Sequence, residues 1–124
     1  MAGWTSDELT KVGGAEELQV TSLRSDGRVS SPRTIWVVPH RDDLYVRSVN
    51  GPAAAWFRGT QVRHEGHISA GGVDRDVTFT DADHAIDDQI DAAYQTKYQR
   101  YPQNITDSVK TPGARSTTMR LLPR

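Results

Sequence analysis

Apolar residues along this chain recur mostly at every second position, in short runs broken by glycine and polar turns, which is the signature of half-buried β-strands. Leu18 and Val20 alternate with Gln19 and Thr21 across 17–24, and the phase breaks at Ser22 and Leu23, so a strand with an irregularity near its end is expected. Asp26-Gly27 then turns the chain. The run from Thr34 to Val38 is apolar on both faces, as for a strand buried inside a barrel. His40 to Asp43 reads as a polar hairpin connection. Beyond it Leu44, Val46 and Ser48 alternate with Tyr45, Arg47 and Val49, so Arg47 points into a polar barrel mouth or to solvent. Strands near 63–70 and 75–80 flank the Gly71-Gly72 turn, with Val77 and Phe79 facing inward, and Thr117 to Leu122 supplies a last strand.

The helical signals are fewer. Thr5 and Glu8 fit a capping box, Trp4 and Leu9 sit where a hydrophobic staple closes, and Gly13-Gly14 stops the helix. Alanines 53 to 55 with Trp56 and Phe57 suit a short helix. A long helix is expected from Asp83 to Tyr101, because Ile86, Ile90, Tyr94 and Tyr98 recur every fourth residue in one stripe that Pro102 ends, after which a polar loop follows. Asp83, Asp87 and Asp91 then read as its solvated face. The fold class expected is α+β, mainly β: a six-stranded antiparallel split β-barrel with flanking helices, formed by residues 1–124 as one domain.

Composition removes several function classes. A formal net charge of −1 gives no pull toward nucleic acid or anionic lipid. No run approaches the ~20 apolar residues that a membrane span needs, and a cytoplasmic location is expected. There are no cysteines, so disulfides, thiolate metal sites and a cysteine nucleophile are excluded. His64 and His67 lie three apart, on opposite faces of a strand, with no further ligand beside them, so no metal site is expected. No nucleophile elbow, zinc-protease motif or phosphate-binding P-loop occurs.

The candidate chemistry lies between Ser25 and Trp56. The turn before Arg33 offers backbone amides, the hydroxyls of Ser30 and Ser31 and the guanidinium groups of Arg28 and Arg33, a donor set suited to phosphate. Pro32 favours an extended entry to Arg33. A second loop of small residues, Asn50 to Ala55, follows Ser48 and enters the helix bearing Trp56, so a flat ring or phosphate could approach its backbone and a ring could stack on an indole. Trp36 reads as core, since Ile35, Val37 and Val38 around it are apolar.

These residues carry a resemblance. Gly27-Arg28-Val29-Ser30-Ser31-Pro32-Arg33-Thr34 resembles the Gly-Arg-x-Ser-Gly-x-x-Arg-Thr turn of the split-barrel, deazaflavin-dependent nitroreductase-like proteins, relatives of the pyridoxamine-phosphate-oxidase-like flavin-binding barrels. Ile35 to Val38, Leu44 to Ser48, Gly51, Ala55 to Gly59, and Ala92-Ala93-Tyr94 with Lys97-Tyr98 are similar to a bacterial family of short split-barrel proteins of unknown function, over nearly the whole chain. The resemblance implies a homodimer and a flavin- or deazaflavin-binding oxidoreductase-like protein of unknown substrate. Its FMN or deazaflavin phosphate would be held by Arg28, Ser30, Ser31 and Arg33, with Ser48, Gly51 and Trp56 bordering the ring. Ser31 and Val29 stand where the reductases commonly carry glycine and a second basic residue. Those two positions leave open a barrel that binds a small molecule without cofactor or redox activity, and a plain structural or partner-binding domain is the third reading.

Overall fold

In the computed structural model, which describes residues 3–23, 28 and 30–124, the two edges of the sheet are consecutive stretches of one bent strand. β1 (Leu18–Ser22) pairs with β2 (Arg33–Ile35), placing Leu18 opposite Ile35, whereas β3 (Val37–His40) pairs with β4 (Asp43–Val46), placing Val37 opposite Val46. β5 (Glu65–Ala70), β6 (Val73–Asp81) and β7 (Met119–Pro123) complete an antiparallel sheet in the order β2-β1-β5-β6-β7-β4-β3. Trp36 is the joint between the two edges, so the sheet curls into a nearly closed barrel. Counted as hydrogen-bonded segments there are seven strands among the described residues; β2 and β3 taken as one stave give the six that the alternation predicts. The Asp26-Gly27 turn falls outside the described residues.

Alternation along each stave separates two apolar bodies. Val20, Val37, Leu44, Val46, Ile68, Val77, Phe79 and Leu121 fill the barrel, with Trp4 and Val12 from the α1 segment and Phe57 from α2 packed with them. The helix α1 (Ser6–Gly13) carries the expected reciprocal cap: the Glu8 amide donates to the Thr5 hydroxyl at 3.1 Å, and the Thr5 amide donates to the Glu8 carboxylate at 3.0 Å. On the outer face Val38 and Tyr45 pack with Ile90, Tyr94 and Tyr98 of the α3 region and with Val109. The run 34–38 is therefore apolar on both faces because its strand lies between these two bodies.

The long helix is shorter than its stripe suggests. Asp83 caps a tight turn over His84–Ile86, accepting from the Ala85 amide at 2.9 Å, and α3 (Asp87–Lys97) follows. The stretch expected as a polar loop holds two helices, α4 (Gln103–Asp107), which begins after Pro102, and α5 (Pro112–Arg115), capped where Thr111 accepts from the Ala114 amide. The short helix at Trp56 is likewise longer than expected, a single turn over Gly51–Ala53 followed by α2 (Ala55–Arg63).

Arg47 corrects the expectation of a polar mouth or solvent: its side chain is fully buried beneath α3. Its Nε donates to Thr118 Oγ1 at 2.8 Å, Nη1 to the Asp91 carboxylate and to the Val109 carbonyl at 2.8 Å, and Nη2 to the Asp87 carbonyl at 3.1 Å. Asp87 and Asp91 are consequently no solvated face. Their carboxylates turn inward because the cation beneath them offsets the cost of burying it.

Candidate functional site

Beside the joint at Trp36 lies a cleft of about 480 Å³. Its floor is the bent strand, from Arg33 through Trp36; Val49 and Asn50 come from the loop after β4, Ala54 to Trp56 from the start of α2, and Ile105 and Ser108 from the α4 region. Arg33, Ala55 and Trp56 also line an adjoining hollow of about 140 Å³ with Ser22, Ser30, Ser31 and Gly59. The hollow is this narrow because Gly59 brings α2 against β1: a Cβ there would lie 2.3 Å from Ser22 Oγ.

The structure thus gathers Ser30, Ser31, Arg33 and Trp56 at one corner, as the sequence suggests. Their donors differ in availability. The Ser30 amide donates to the Ser22 carbonyl at 2.9 Å, and its hydroxyl accepts from the Ser22 amide at 2.9 Å, so Ser30 chiefly fastens the turn to β1. Ser31 is exposed at the rim. Among the described residues the Arg33 guanidinium has one hydrogen bond, a 3.4 Å contact to the carbonyl of the adjacent Pro32, and no carboxylate partner. Arg28 is exposed and lines neither cavity.

The amino end of α2 adds a second source of positive potential. Ala54, the residue before the first turn, has no side chain that could cap it, so the leading amides have no side-chain partner at the very stretch, Ala54 to Trp56, that lines the cleft. Ser48 and Gly51 do not reach that wall. The Ser48 amide donates to Thr117 Oγ1 and its hydroxyl to the Gly51 carbonyl, each at 2.8 Å, while Gly51 adopts φ 75° against Gly113. They hold in place the loop that carries Val49 and Asn50.

Two indoles flank the cavity. Trp36 is half-buried, and its ring stacks on Tyr98 at 3.8 Å between centroids and 4° between planes, so it belongs both to the core and to the cleft. Trp56 meets Phe57 edge-on at 6.3 Å. Val49 and Ile105 are large apolar side chains left 51% and 42% exposed, and both stand on this cleft. Sequence reading missed Glu17, Val49, Ile105 and Ser108 as cleft residues. An isolated isoleucine after Pro102 in a polar stretch was the one available sign of the α4 wall.

Among the described residues no group of three or more His, Asp or Glu side chains stands in a metal-holding arrangement, and no helix is long and apolar enough to cross a membrane. A family model described as an uncharacterized protein conserved in bacteria, DUF2255, matches residues 8–121. The chain belongs to the DUF2255 family. No curated protein matches this DUF2255 sequence. Solved structures share the fold. The crystal structure of HutZ, the heme storage protein from Vibrio cholerae, is similar with a TM-score of 0.62 and 14% identity, covering 89% of this chain and 82% of that one. An FAD-binding protein from Mesorhizobium loti gives 0.61 and 14%, covering 98% and 91%. An F420 reductase gives 0.57 and 10%, covering 94% and 90%. At these identities the likeness establishes the barrel and its helices in this DUF2255 chain, which the sequence resemblance implies.

Proposed function

We propose that the cleft between Trp36 and Trp56 binds a phosphate-bearing flavin-type cofactor, FMN or a deazaflavin, and that the protein is an oxidoreductase-like member of its fold. The observation that carries this reading is the Arg33 guanidinium, which among the described residues spends one donor on the Pro32 carbonyl, beside the uncapped amino end of α2 and an indole in one cavity. The cavity fits such a group in shape and in charge: a volume of about 480 Å³ is within the usual range for ligand sites, with aromatic and aliphatic walls and its cationic group at one corner. That structures of similar fold are an FAD-binding protein, an F420 reductase and a heme storage protein supports a cofactor rather than a macromolecule as occupant.

The bound ring would supply hydride chemistry that no side chain here provides. The chain's own residues do the holding. Arg33 and the α2 amides bind phosphate, with Ser31 at the rim; Trp36 and Trp56 orient the ring; Val49 and Ile105 exclude water. These two exposed apolar residues also support a homodimer in which a second copy covers the cleft. The experiment is a titration of the protein with FMN and with a deazaflavin, followed by tryptophan fluorescence, with sedimentation alongside it. A saturable response to either cofactor and a species of twice 13.8 kDa are expected. No saturable response to either refutes the flavin reading.

The second reading, a barrel that binds a small molecule without a redox cofactor, draws on Ser30. Its amide and hydroxyl are engaged with Ser22, which leaves fewer donors for a phosphate than the turn sequence promises.

A further inference from the structure

On the opposite side of the bent strand, α1, β3 and α3 enclose an open cleft of about 470 Å³, lined by Gly13, Pro39, His40, Ala92, Ala93 and Lys97 among others. The site proposed above does not use it. Lys97 enters from the last turn of α3, half-buried, with Nζ donating to the Val37 carbonyl at 2.6 Å and standing 5.1 Å from the centre of the Tyr98 ring. Val37 is the first residue of β3, and two side chains reach its carbonyl, Lys97 and the Tyr98 hydroxyl.

The three lysines of the chain are differently placed. Lys11 pairs with Asp7 at 3.0 Å and Lys110 with Asp107 at 3.3 Å, whereas Lys97 has no carboxylate partner among the described residues. Among the described residues no Asp or Glu lines its cleft; the titratable groups facing it are His40 on β3 and Tyr98, whose hydroxyl donates to the same Val37 carbonyl at 3.2 Å, with neutral Gln89 and Thr96 from α3.

We propose that Lys97 is a nucleophilic amine whose cleft admits small aldehydes for reversible imine formation. The unprotonated Nζ attacks the carbonyl carbon, forming a carbinolamine; Nζ gives up its proton to solvent, the hydroxyl leaves as water, and a C=N bond replaces the C=O bond. Amine and aldehyde become imine and one water, with no change of oxidation state. One N–H can keep the Val37 carbonyl bond through the attack and in the carbinolamine; the neutral imine has no N–H and releases it. Pro39, Ala92 and Ala93 favour an aldehyde with an apolar body. Burial among apolar groups also lowers the amine's pKa to about 8, so near that pH about half is unprotonated, against roughly one in a few hundred for an ordinary lysine.

The test treats the full chain with limiting benzaldehyde and cyanoborohydride at pH 8 and maps benzyl groups on the peptides. Lys97 is expected to be labelled about tenfold or more faster than Lys11 and Lys110, with a pH profile that levels above about 8. In urea that preference should vanish, and Lys97→Arg should abolish it while keeping the circular dichroism of the native protein. Equal labelling of the three lysines, a rate for Lys97 still climbing at pH 10, or a preference that persists in urea overturns the proposal. Because the readout needs no flavin, failure of the cofactor reading leaves it intact.

Discussion

Arg47 ends one apolar strand-like run and Arg33 begins another, yet one is spent on the fold and the other is not. Around Arg47 the acceptors come from β7's entry at Thr118, from α3 and from the Val109 carbonyl, and together they use donors on all three guanidinium nitrogens in a fully buried place. Arg33 stands exposed at the start of β2 with, among the described residues, a single long contact to its neighbour's carbonyl. A buried arginine must have its donors satisfied by the protein, since each unmet one carries its full desolvation cost; an exposed arginine can leave them to water and exchange water for an anion. The contrast separates a residue that determines where helices sit from one available to a ligand.

The largest effect is expected from Arg47→Met, which strips the cation from Asp87 and Asp91 and should lower unfolding stability by about 3 to 5 kcal/mol in urea. A loss under about 1 kcal/mol would erase the contrast. Arg33→Ala should act oppositely: the urea midpoint unchanged, and FMN or deazaflavin binding weakened roughly tenfold to a hundredfold, as one lost charge-assisted contact implies. If binding occurs and the variant leaves it unaltered, phosphate is held elsewhere.

Thr118→Val refines the buried half of the comparison by leaving Arg47 Nε without its 2.8 Å acceptor, for an expected cost of about 1 to 2 kcal/mol by the same denaturation. The smallest effect belongs to an exposed clamp, where His67 bridges Asp76 at 2.9 Å and Asp74 at 3.2 Å across β5 and β6. Its hydrogen bond to Asp76, then that to Asp74, raises the His67 pKa from 6.5, and the same bond lowers that of Asp76 from 3.8. The histidine's contribution is whole below about pH 6.5 and disappears as pH rises through its raised folded value; the carboxylate's is present above about pH 4 and disappears as pH falls through its lowered one. His67→Gln should therefore shift the thermal midpoint more at pH 5.5 than at pH 8.5. An equal shift at both would show that the pair contributes through packing alone.

What the chain's pattern alone determined is considerable. Alternation in Leu18 to Thr21, in Leu44 to Val49 and in Val77 to Phe79 decided which faces turn inward, because a strand's side chains alternate by covalent geometry. The cap at Thr5 and Glu8 and the stripe Ile90, Tyr94 and Tyr98 are equally local, and the turn motif at Arg33 marked one corner of the cleft. Only the tertiary structure decided the rest. That Thr34 to Val38 forms both edges of a barrel depends on Ile35 pairing back with Leu18 while Val37 pairs forward with Val46, at opposite ends of the sheet order. The fate of Arg47, and with it the inward turn of Asp87 and Asp91, depends on carbonyls and a hydroxyl 40 or more residues away, which no short window of sequence contains. The walls at Val49 and Ile105, like the cleft at Lys97, exist because segments far apart in the chain are brought together by the barrel. Sequence periodicity encodes which side of an element is apolar; the acceptors and cavity walls that meet a given side chain follow from packing, where long-range contacts replace local spacing.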